Sequence, residues 1–419
     1  MKGRLARSSI QTSALLGLRV LTQAFVLVLL TRLLGPQLYG RYAAVASLAI
    51  LLGVLPNLGS GFMMLARSAR DENGIAETWR YAWPLTIIFG LLLLFVYVLV
   101  ARFIAIPALP AHIVLALGAA ELMMTPFTML FSYALQASER VPLSQFVQWM
   151  PLGLRVFAVL PCFWLVDSER LSVYAVLQFV ASLLGAVLSF WITARHVALD
   201  WRPRRATRSE LRVGSSYAAM NLMTANPSEL DKVIATRAIG AHDAGIYTAT
   251  VRVMSATVMP VVAMLLAAQP RLFRHADEPT KEGHRLVTLI ATITLAWGAG
   301  SGIILALCSP LLPLLFGTPF AATARLMPWL AAVAPFLSLR LAAGTVLVAL
   351  GRPLERVAFE ACGILVLIVA MYILAPLYGV DGLALALIVA EASMAAAGWW
   401  MVRHQLLLHP KTTGGNGTR

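Results

Sequence analysis

Thr31–Ala44 reads TRLLGPQLYGRYAA, and Thr236–Ala249 reads TRAIGAHDAGIYTA, 205 positions later in a chain of 419 residues. Thr, Arg, two glycines five residues apart, Tyr and a closing Ala fall at matching places in both copies. Each copy follows one apolar stretch of spanning length and opens another. Gly35 and Gly240 are expected to end the preceding helix in a left-handed C-cap conformation, and Gly40 and Gly245 to open the return turn. The repeat is read as a structural signature of two related halves, not as a catalytic box.

Composition sets the medium in which those halves fold. Hydrophobic residues make up 59% of the chain and charged residues 12%, with a mean hydropathy of +0.79; ordinary soluble domains carry roughly 25% charge. The chain is a polytopic membrane protein on this ground alone. A net charge of +14 would suggest nucleic acid in a soluble chain, but in a membrane protein Lys and Arg gather in cytoplasmic loops, so no nucleic-acid partner is expected. Cys162, Cys308 and Cys362 each lie in an apolar run and read as small core hydrophobes, with no disulfide framework, metal or other cofactor implied.

A spanning helix needs about 20 mainly apolar residues to cross a hydrocarbon core of ~30 Å. Windows of that kind fall at about 10–31, 42–66, 81–101, 113–137, 143–166 and 171–194, then 213–238, 246–270, 286–308, 322–350, 357–378 and 381–402. The weakest, 213–238, carries Asn226, Pro227, Glu229, Asp231 and Lys232, and Pro227 is expected to break or kink it. With the N-terminus cytoplasmic, 22 Lys and Arg fall on that side and 6 on the other, which places both termini inside. A signal peptide is the alternative for the first stretch, but Arg19 interrupts it and no A-x-A pattern follows, so it is expected to be retained. The expected organisation is a six-helix lobe over 1–200, a basic cytoplasmic linker at 201–212, a second six-helix lobe over 213–403 and a tail at 404–419. Two halves of six spans, each starting inside, are parallel repeats related by an axis along the membrane normal, a transporter plan. Trp79, Trp83, Trp191, Trp201, Trp399 and Trp400 fall near span ends, as interfacial anchors do.

Three further stretches, SPLLPLLFGTPFAATARL (Ser309–Leu326), LVALGRP (Leu347–Pro353) and PLYGVDGLALALIVAE (Pro376–Glu391), complete a pattern with the repeat. Together they resemble the polysaccharide-export and oligosaccharide flippase family, the Wzx-like branch of the superfamily that also holds MATE exporters and lipid II flippases. The resemblance implies an all-α polytopic fold of about twelve transmembrane helices, in two six-helix lobes around a central cavity. It also implies an inner-membrane flippase that moves a polyprenyl-pyrophosphate-linked oligosaccharide, an O-antigen or exopolysaccharide repeat unit, by alternating access. Membrane lipids, a glycan polymerase and glycosyltransferases are the implied partners.

Ionisable residues inside the spans mark where such a substrate would bind. An Arg, Lys or Asp at a helix centre costs roughly 2.5–3.5 kcal/mol on insertion scales, so these residues face protein or a hydrated cavity. Arg19, Arg155, Lys232, Arg252 and Arg340 are the candidate pyrophosphate ligands, because a guanidinium stays charged and donates two parallel hydrogen bonds to phosphate. Glu121, Glu229, Asp231 and Glu391 are candidates for ion coupling. Helical spacing puts Gln145, Gln148 and Arg155 on one stripe, and Arg19 with Gln23 on another. The competing reading pairs Arg155 or Arg340 with Glu121, Glu360 or Glu391 as structural locks. An ion-coupled small-molecule exporter of the MATE kind is the rival function. A membrane glycan polymerase or ligase fits less well: the longest outward connection, about 309–321, has no charged residue for catalysis. The sequence also carries no phosphate-cradling, zinc-protease or serine-hydrolase motif, so no enzyme activity is expected.

The charge asymmetry generates a topology prediction. In a chain freed of its own cysteines, cysteine at Ser209 is expected to be shielded from an impermeant thiol reagent in intact cells, and cysteine at Thr318 to react. The reverse pattern overturns the orientation.

Overall fold

The structure, a computed structural model, describes residues 2–71, 73–105, 109–225, 229–276 and 281–408. Among them every regular element is helical, as a hydrocarbon solvent demands, since a helix satisfies its own backbone polar groups. Among the described residues, eight helices are long and apolar enough to cross a membrane, or nine when Ala322–Ala331 and Val333–Ala349, bent by 41° at their junction, count as one span. Two elements are far too long for a single crossing: α1 (Lys2–Leu52) has 51 residues and α16 (Pro353–Leu408) has 56, against about 20 needed. Each is broken at a glycine of positive φ, Gly35 in α1 and Gly379 in α16. The expected span 213–238 includes residues 226–228, Pro227 among them, which lie outside the described residues. On either side of them run α8 (Arg208–Ala225) and α9 (Leu230–Ile239).

The repeated stretch does more than end a helix. Gly35 stands at φ 64°, ψ 174° and Gly240 at φ 85°, ψ 166°, a backbone region open essentially to glycine alone and not the αL geometry of the expected cap. Gly40 and Gly245 make no turn; they sit inside α1 and α10 (Ala241–Ala256), where the two copies touch. A Cβ on Gly40 would collide with the carbonyl oxygen of Ala241, and a Cβ on Gly245 with that of Pro36. The same added atoms would lie 2.9 Å from the Gly245 nitrogen and 3.1 Å from the Gly40 nitrogen. This exchange, residue for residue, is the signature of a local two-fold relation, and glycine is what lets two helix backbones approach so closely.

Two compact units divide the chain, Met1–Gly245 and Ile246–Arg419. In the first, α1 packs on α6 (Val141–Val159) and α9, and α6 packs on α5 (Thr125–Ala137) and α7 (Asp167–Ala194). The stretch after α7, which holds the basic linker, is tied to the rest of its unit. Arg204 donates its backbone N–H to Arg80 O at 2.9 Å and grips Glu210 with both terminal nitrogens at 3.0 and 2.7 Å, and Arg67 adds a third contact to Glu210 at 2.7 Å. Thr207 and Glu210 cap α8 reciprocally, N–H to Oε2 at 2.7 Å and N–H to Oγ1 at 3.2 Å, the S/T-x-x-E capping box. Burial alone would raise the Glu210 carboxyl, but the Arg204, Thr207 and Arg67 hydrogen bonds outweigh it and hold it at about 2. In the second unit, α12 (Lys281–Cys308) packs on α11 (Met259–Ala276), α14 (Ala322–Ala331) and α15 (Val333–Ala349), and α15 packs on α16.

The outer faces are as apolar as the core: Phe95, Phe103, Ile303, Leu307 and Leu365 are all exposed, as helices bathed in lipid require. One expectation fails for this reason and a second fails for another. Cys162 is buried, but Cys308 and Cys362 are exposed, because lipid tails and core side chains are equally apolar. Trp79 is no interfacial anchor: it is fully buried, its ring 5.3 Å from that of Phe131.

The glycine contact is open to a direct test. Gly40→Val and Gly245→Val are each expected to cost about 1–3 kcal/mol of overpacking, seen as lower thermal stability of the detergent-extracted protein. Gly300→Ala in α12, where an added Cβ meets nothing within 4 Å, is expected to leave it unchanged or slightly raised.

Candidate functional site

A buried polar network lies where α6 and α7 meet the turn before α5. Ala120–Met124 is a single π-helical turn, a distortion that recurs at functional sites, and it carries Glu121, which is 6% exposed. Arg155 of α6 donates to Glu121 Oε1 at 2.5 Å. Gln178 of α7 donates to the same oxygen at 3.3 Å, Thr125 donates to Oε2 at 3.1 Å, and Tyr42 of α1 donates to Gln178 Oε1 at 3.1 Å. Ser182 lies 3.4 Å from the Arg155 guanidinium. The charge of Arg155 is thus neutralised in place, and both oxygens of Glu121 are engaged.

Arg19 has a different kind of partner. Its Nη1 donates to Gln148 Oε1 at 3.1 Å, and the Gln148 amide donates onward to Ser132 Oγ at 2.7 Å. Among the described residues no carboxylate lies within 4.0 Å of its side chain. One turn further on, Trp149 Nε1 donates to Thr22 Oγ1 at 3.0 Å. The polar stripes of α1 and α6 therefore face each other, through Arg19 and Gln148, while Gln23 is exposed. A guanidinium held by a neutral amide keeps its full charge available to an anion, whereas a paired one must first give up its carboxylate.

The remaining sequence-predicted residues fall in separate places. On α9, Lys232 Nζ lies 3.3 Å from Asp231 Oδ1 and 3.5 Å from Glu229 Oε1, with Asp231 and Lys232 both buried; two carboxylates face one ammonium there. In the second unit, Arg340 of α15 pairs with Glu391 of α16 at 2.9 Å, at 5% and 3% exposure. Arg252 is half-buried on α10. Glu360 pairs with Arg356, one helical turn away at 3.1 Å. Sequence reasoning missed Gln178, Tyr42 and Ser182 around Glu121. None carries a formal charge, so a search for ionisable residues inside the spans passes over them, although Gln178 and Ser182 stand one turn apart on α7.

The pairing predicts a reciprocal rescue. Arg155→Gln leaves the buried Glu121 carboxylate without its cation, a loss of about 3–5 kcal/mol for such pairs, and the variant is expected to fall in membrane abundance. Glu121→Gln added to it is expected to restore abundance, read by immunoblot of membrane fractions. Failure of the double variant to recover removes the pair as the cause.

Comparison with known proteins places this architecture. A family model described as polysaccharide biosynthesis protein matches residues 5–275. No curated protein sequence matches the chain. Among solved structures, an inward-facing multidrug resistance MATE family transporter of the MOP superfamily aligns with a TM-score of 0.79 at 15% identity, over 94% of this chain and 96% of that one. The lipid II flippase MurJ in an inward closed conformation aligns at 0.72 and 13% identity, over 95% and 89%. A MOP superfamily transporter from Pyrococcus furiosus, whose binding pocket is described as of reversed polarity, aligns at 0.65 and 14% identity, over 97% and 96%. The chain therefore belongs to the polysaccharide biosynthesis protein family, as a multi-pass membrane protein with the fold that MATE transporters and the lipid II flippase share.

Proposed function

We propose that the protein is a flippase that carries a polyprenyl-pyrophosphate-linked oligosaccharide across the inner membrane by alternating access, with both termini in the cytoplasm and the two halves 1–200 and 213–403 as its moving parts. Membership of the polysaccharide biosynthesis family supports the glycan. One observation carries the substrate chemistry: Arg19 sits half-buried on a spanning helix against a neutral amide, so its charge is available for pyrophosphate. Arg155 and Arg340, each closed on a carboxylate, act in this reading as locks within their units. Glu229 and Asp231, which both lie within 3.5 Å of the Lys232 ammonium, are the candidates for ion coupling in this reading.

The test joins deletion with point variants. Loss of the protein is expected to leave lipid-linked oligosaccharide on the cytoplasmic face with its synthesis intact. Unpolymerised units gathering on the outer face would indicate a polymerase instead. Arg19→Gln is expected to abolish export at near-normal protein abundance, and Arg19→Lys, which keeps the charge but loses the planar fork, to restore it in part. Normal export from Arg19→Gln removes Arg19 from the substrate path.

A further inference from the structure

Beside Arg19 a groove of about 470 Å³ opens between α1 and α6, lined by Leu21, Thr22, Phe25, Trp149, Gly153 and Phe157 among others. That volume falls in the usual range for a ligand site. Its polar atoms are already satisfied internally: the Trp149 indole donates to Thr22, and Thr22 donates to Leu18 O at 2.7 Å. What the groove offers is therefore hydrocarbon and aromatic surface. Leu21 and Phe157 are each 69% exposed and Phe25 is 51% exposed, so these side chains have no protein partner covering them. Gly153 supplies the depth, with the Trp149 ring lying 3.1 Å from where its Cβ would stand.

The two ends of the groove differ. At one end, Arg19 and Gln148 precede the first lining residues of α1 and α6 and close it with a positive charge. From Gln148 to Phe157 the helix rises about 13 Å, close to one leaflet of a ~30 Å hydrocarbon core. A cation at the foot of an apolar channel one leaflet long matches a single-chain amphiphile with an anionic head. In the orientation proposed for the chain, the charged end is the cytoplasmic end of the groove, and the channel runs from there past the bilayer midplane.

We propose that this groove holds the isoprenoid chain of the lipid-linked substrate while its pyrophosphate sits at Arg19. The assignment rests on the flippase reading and adds to it where the tail goes. A phospholipid, with two tails, would leave one of them outside a groove walled by only two helices. The polyprenyl pyrophosphate has one tail and a head that suits the guanidinium fork.

The experiment places a benzophenone-bearing residue at Phe157 in the full-length protein, in nanodiscs of phosphatidylethanolamine and phosphatidylglycerol. Illumination follows with added polyprenyl pyrophosphate, and with inorganic pyrophosphate as a control. A polyprenyl adduct is expected, about tenfold weaker in Arg19→Gln and in Gly153→Phe, which fills the groove from its floor. Leu21→Trp fills it from the exposed wall and is expected to act alike at normal membrane abundance, should Gly153→Phe fold poorly. In cells both filling variants are expected to lower export about tenfold. Phospholipid adducts in proportion to bilayer composition, with the polyprenyl yield unmoved by either filling variant, overturn the groove. If deletion still traps lipid-linked oligosaccharide on the cytoplasmic face while both filling variants export normally, the groove alone fails. If deletion leaves those lipids undisturbed and no polyprenyl adduct forms, the flippase reading fails and the groove with it.

Discussion

The contact between Gly40 and Ala241, answered by that between Gly245 and Pro36, is the point at which the two halves of the sequence acknowledge their common origin in space. Each glycine lies against the backbone that follows the other copy's positive-φ glycine. A hydrocarbon solvent provides no hydrophobic force between helices, so close van der Waals packing must do the work that burial does in water. Gly35 and Gly240 set the direction in which each helix leaves the break, and Gly40 and Gly245 let the departing helices meet. That one motif explains why the chain repeats it 205 residues apart.

Charge inside the spans obeys a second constraint. A lone cation in hydrocarbon is expensive, and the structure reduces that cost in two chemically distinct ways. Arg155 and Arg340 meet carboxylates from neighbouring helices, which leaves neutral pairs whose value is positional. Arg19 meets an amide, which orients the guanidinium without cancelling it. The first arrangement ties helices together; the second keeps a site electropositive. Placing the second arrangement at the foot of an apolar groove joins the two halves of an amphiphile's chemistry on one pair of helices, α1 and α6.

Some of this was legible in residues alone. The hydropathy and the repeat led to a helical membrane protein, and the i, i+7 spacing of Gln148 and Arg155 placed both on one side of α6. Other features were not legible, for identifiable reasons. Cys308 and Cys362 looked like core residues because lipid and protein interior select the same side chains. Trp79 looked like an anchor because nearness to a span end says nothing about which way an indole turns. The ties of the basic linker were not legible because the contacts of Arg67 to Glu210 and of Arg204 to Arg80 cross long gaps in sequence.

The sequence by itself determined the medium, the helical class, the duplicated plan and the set of charges that must be shielded from lipid, since all of these follow from composition and short-range periodicity. Only the tertiary structure decided which cation faces a carboxylate and which faces an amide. That choice depends on partners up to 129 positions away, and nothing in local periodicity encodes the rotation of one helix against another. The same holds for Gly40 and Gly245: the residues were visible as a pattern, but their purpose lay in the atoms of the other copy.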